Sequence, residues 1–133
     1  MLNTNRFKTV LVSAILIAVL GARSYVGNWN DGSRLASVES LVDRHTWVID
    51  DSIFVNGTKD KIFVRDHFYS DEPPVVVTLD LAGLYWIAQQ LTGLTAAPNP
   101  HDFVYLLIVT SAGLGYVVGV LCIWFLALRR FFS

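Results

Sequence analysis

Residues 104–128 read VYLLIVTSAGLGYVVGVLCIWFLAL, 25 positions without one charged side chain. As an α-helix rising about 1.5 Å per residue the run is about 37 Å long. That length crosses a hydrocarbon core of about 30 Å with some tilt. Its start is marked three times over: Asn99 suits the N-cap, Pro100 the first helical position, and Asp102 the positive end of the helix dipole. Arg129 and Arg130 close the other end. The run predicts a transmembrane helix over residues 100–130, and the composition agrees with it. The chain of 133 residues is 53% hydrophobic and 16% charged, against about 25% charged in ordinary soluble domains.

A second apolar stretch lies near the N-terminus. Residues 9–22 carry no charge, with Arg6 and Lys8 before them and Arg23 after. A stretch of that length suits a signal sequence. Against cleavage stand Leu20, a poor small-residue position before Ala22, and the apolar Tyr25, Val26 and Trp29 beyond. The expectation is therefore an uncleaved anchor over residues 1–29, its apolar part starting near Phe7. Arg23 then snorkels and the aromatic residues sit at the interface.

Basic residues flank the outer ends of both apolar segments, which by the positive-inside rule places both termini in the cytoplasm. The intervening chain then lies on the periplasmic side of a bacterial inner membrane. From Arg23 to Asn99 it holds ten acidic and six basic residues. This acidic balance excludes the clustered basic face that nucleic-acid binding requires. The single cysteine, Cys122, excludes an internal disulfide and a cysteine-built zinc site.

Within the outer segment, residues 30–99, Trp29-Asn30-Asp31-Gly32-Ser33 forms a capping cluster. Leu35, Val38, Leu41 and Val42 follow at helical spacing, with Arg34, Glu39 and Asp43 on other faces. This predicts a short amphipathic helix on the membrane surface. Residues 47–49 and 53–55 read as short β-like runs, and Asn56-Gly57 as a turn. Lys61 to Val64, Arg65-Asp66 and His67-Phe68-Tyr69 predict a small hairpin, ended by Pro73-Pro74. Residues 75–94 are mostly apolar, yet Asp80, Gln89 and Gln90 oppose a full crossing. They predict a helix in the interface, with Tyr85 and Trp86 at headgroup depth. The expected fold is thus a mainly α membrane protein. It has two transmembrane helices in an antiparallel hairpin, and an outer segment of short amphipathic helices and a small β-hairpin.

Several of these words resemble a known family. Asn30-Asp31-Gly32-Ser33-Arg34, Ile49-Asp50-Asp51, Asp60-Lys61-Ile62-Phe63 and His67-Phe68-Tyr69-Ser70-Asp71-Glu72-Pro73-Pro74 are similar to the N-terminal region of bacterial GT-C type membrane glycosyltransferases. Those enzymes are relatives of the transferases that use lipid-linked mannose and aminoarabinose. The resemblance implies a general base in the first outer loop, and Asp31 matches it. It also implies a lysine before Pro-Pro that contacts the phosphate of a polyprenyl donor, and here Glu72 stands there. A carboxylate beside a phosphate turns attraction into repulsion, on the order of several kcal/mol in a partly desolvated site. The family's many spans enclose a donor cavity, whereas two spans supply no such walls.

The residue-level reading points the same way. Asp31 reads first as a helix cap, and Asp50 and Asp51 as turn or cap residues rather than a metal pair. His45, His67 and His101 are scattered and none lies in a span, so no haem or chlorophyll-type cofactor and no metal is expected. Cys122 reads as a small apolar residue, and Asn56-Gly57-Thr58 as a turn rather than a glycosylation acceptor. Ala14, Ala18 and Ala22 on the first span, and Ser111, Gly115 and Gly119 on the second, recur every four residues. Such stripes let membrane helices approach closely, against each other or against another subunit. The expected function is a non-catalytic accessory subunit of a larger membrane complex, with bioenergetic assemblies, photosynthetic or respiratory, as the precedent for small spanning subunits. The rival is a split subunit of a lipid-linked-sugar glycosyltransferase with Asp31 as general base.

Overall fold

The computed structural model describes residues 4–71 and 75–132. Glu72, Pro73 and Pro74, including the acidic departure from the family word, lie outside the described residues. In chain order the elements are α1 (Thr4–Gly21), α2 (Trp29–Arg44), a 3-10 turn (Val55–Gly57), β1 (Lys61–Val64), β2 (His67–Ser70), α3 (Val75–Thr92), α4 (Pro100–Ile108), a π-helical segment (Val109–Gly113) and α5 (Leu114–Phe132). The protein is mainly helical, with a two-stranded antiparallel sheet and a long apolar helix. That helix, Pro100–Leu128, is long and apolar enough to cross a membrane. The chain forms two compact units, residues 1–22 with 108–133, and residues 23–107.

In the first unit α1 packs against the π segment and α5. The two helices run antiparallel. Phe7 meets Phe125 with ring centroids 6.2 Å apart, while Ala18 lies across from Gly113, where an added Cβ would stand 3.4 Å from the alanine's Cβ. Of the small residues with four-residue spacing, Ala14 is buried and Ala18 half-buried. Ala22 follows the end of α1. Ser111, Gly115 and Gly119 are exposed, with open space beside both glycines. The π segment explains why the close approach falls on Gly113. Leu114 N–H donates to the carbonyl of Val109, five residues back, so the helix gains part of a residue per turn and its faces rotate out of a regular four-residue phase.

The second unit is built around α2. Asn28 caps it, its side-chain oxygen accepting from Asp31 N–H at 2.8 Å, and His45 ends it in the left-handed conformation at φ 56°. The expected solvated faces are not all solvated. Gly32, Ser33, Ala36, Ser37, Glu39 and Ser40 are buried beside Leu35, Val38 and Val42. These small side chains let α3, β2 and the 3-10 turn close on α2 from several sides. Gly32 is one such point, since a Cβ there would stand 3.3 Å from Thr58 Cβ.

The hairpin forms where the alternation predicts it, Val64 pairing with His67 and Lys61 with Ser70. Residues 47–49 and 53–55 form no hairpin of their own. Ile49 N–H donates to Phe68 O at 2.9 Å on the outer edge of β2, and Ser52, Val55 and Gly57 each close a turn with the residue three before it. The core joins Ile49, Val38, Ala82 and Ala96 to a row of rings. Phe54 stacks on Phe103 at 5.6 Å, and Tyr85 meets Phe103 edge-on at 4.6 Å. Such a ring pair adds about 0.5–1.5 kcal/mol beyond the area it buries. Tyr85 is therefore a core residue, fully buried, and Trp86 alone of the expected interfacial pair is exposed.

Candidate functional site

The residue the family resemblance singles out is Asp31, in the first turn of α2. Its backbone N–H is satisfied by the Asn28 cap, and as an acidic residue in a first turn it complements the helix dipole. Its carboxylate and the Arg23 guanidinium both approach Gly27, where a Cβ would stand 2.9 Å from Asp31 Oδ2 and 2.5 Å from Arg23 Nη1. Arg23 also lies over the Tyr25 ring at 5.7 Å. Beside the helix start is a shallow open groove of about 340 Å³ lined by Asn28, Trp29, Asn30 and Asp60. Lys59 Nζ sits over the Trp29 ring at 4.6 Å. Asp31 is not one of the lining residues. In this arrangement it stands in the first turn of its own helix.

Three polar clusters that local patterning does not reveal hold this unit together. Glu39, fully buried, has every oxygen engaged. Oε1 accepts from Arg44 Nη2 at 2.8 Å, and Oε2 accepts from Ser52 Oγ at 2.5 Å and Ile53 N–H at 3.1 Å. Arg44 also donates to the carbonyl of Asp51 at 2.7 Å. A buried charge is tolerated only when its partners are this complete.

Asp43 forms the second cluster, accepting from Tyr85 Oη at 3.0 Å and Gln89 Nε2 at 2.9 Å, while the same Tyr85 oxygen accepts from Ala96 N–H at 2.9 Å. Burial, followed by the nearby carboxylates of Asp43 and Glu39, pushes the Tyr85 phenol well above its ordinary value, against the opposing effect of the Ala96 N–H. Tyr85 thus stays a neutral bridge from α3 to α2 and to the loop after α3.

The third cluster is Asp50, which accepts from His67 Nδ1–H at 2.7 Å and Phe68 N–H at 2.6 Å. The His67 hydrogen bond, and then that of Phe68, hold its carboxyl below the usual range against a smaller desolvation effect. Asp50 therefore ties the loop before it to β2. Asp51 is exposed, contributing its backbone carbonyl to Arg44.

The other singled-out residues have equally local roles. His101 Nδ1–H donates to Ser24 O at 2.8 Å, His45 closes α2, and Cys122 is exposed on α5. Asn56 and Gly57 lie in the 3-10 turn. Among the described residues no three of His, Cys, Asp and Glu stand close enough to hold a metal. No family model, curated protein or solved structure matches the chain.

Proposed function

We propose that this chain is a non-catalytic accessory subunit of a larger membrane complex, descended from the N-terminal module of a GT-C type glycosyltransferase. It is anchored by two spans, α1 and the Pro100–Leu128 helix, with both termini cytoplasmic and residues 30–99 periplasmic. The observation that carries the reading is the apolar surface each unit leaves open. In the first unit Val12, Leu16, Leu20, Ile123 and Leu126 are exposed, as lipid-facing side chains are. In the second, Val76, Leu79, Trp86, Ile87 and Leu91 on α3, and Ile62, Phe63 and Val64 on the hairpin, are exposed as well. A unit that rests in water alone rarely leaves patches of that extent uncovered.

The polar chemistry supports the same reading. The carboxylates of Glu39, Asp43 and Asp50 are each engaged in joining one element to another, and the resemblance's base, Asp31, serves its helix start. Solubilisation of the native membrane in mild detergent tests the proposal. The chain should migrate with a larger assembly, and its deletion should lower that assembly's yield or stability. Migration as a free protein in the gentlest detergent, with an unchanged complement of complexes in the deletion strain, overturns it.

A further inference from the structure

We draw no further inference here: the strongest candidate, the shallow open groove at the start of α2 lined by Asn28, Trp29, Asn30 and Asp60, rests on a helix N-terminus with no second feature of the structure that points to a ligand.

Discussion

Glu39 shows how far a single residue departs from its local pattern. Its position on α2 alternates with apolar residues as a solvated side chain would, yet it is buried and joined to Arg44, Ser52 and Ile53. None of the three lies at helical i,i+3 or i,i+4 spacing from it, so sequence periodicity contains no trace of the cluster. Glu39→Ala strands the Ser52 hydroxyl, the Ile53 N–H and one N–H of the Arg44 guanidinium, and should destabilise the outer unit by about 3 kcal/mol. Glu39→Gln keeps an acceptor and should cost less. Thermal unfolding of the detergent-solubilised protein reads the difference, and equal midpoints for wild type and Glu39→Ala would show that the cluster contributes nothing.

Asp50 gives the pH dependence at the same scale. Its folded-state pKa lies below the unfolded value of 3.8, so its contribution is present above that value and fades as pH falls through the folded pKa. The stability gap between wild type and Asp50→Asn should therefore be present at about pH 5, roughly one unit above the ordinary carboxylate value. It should narrow below about pH 4. A gap that widens on acidification contradicts the assigned sign.

At the scale of elements, legibility follows the range of the interaction. The hairpin, α3 and the start of α4 are set by neighbours in sequence: alternation with a two-residue turn, an apolar run closed by Gly93 at φ 71°, and the Asn99-Pro100 start. These were readable. The central position of α2 was not, because it depends on small residues meeting α3, β2 and the 3-10 turn. The β-like run at 53–55 was overruled by Ser52 and Gly57, which close turns around it.

The hairpin turn itself offers a test. Arg65 and Asp66 have φ 49° and 70°, the pair of positive values that a type I′ connection demands and that Asn-Gly meets best. Replacing them by Asn-Gly should stabilise the outer unit by about 1 kcal/mol. No gain in midpoint would mean the turn is held by contacts of the two original side chains.

At the scale of the whole molecule, the lone cysteine lets thiol labelling count how many times the chain crosses the bilayer. Cys122 lies within the long apolar helix, so Cys122→Ala leaves a background in which a new thiol reports its own compartment. Asp66 at the hairpin tip and Asn5 in the first turn of α1 are both exposed. In intact cells with a permeable outer membrane, a maleimide that cannot cross the inner membrane should label Asp66→Cys at once and Asn5→Cys only after lysis. The first result places the outer unit in the periplasm, and the second requires α1 to cross. If α1 instead lay along the surface, Asn5→Cys would label beside Asp66→Cys, and the charges at Arg6 and Lys8 would have misled the topology. Those two cations stand at the start of an 18-residue helix, about 27 Å at 1.5 Å per residue. That falls short of a core of about 30 Å even with the whole helix counted, so a crossing needs Arg6 and Lys8 to snorkel to the cytoplasmic headgroups, and moving them deeper into the helix should disturb labelling at Asn5 while leaving Asp66 unchanged.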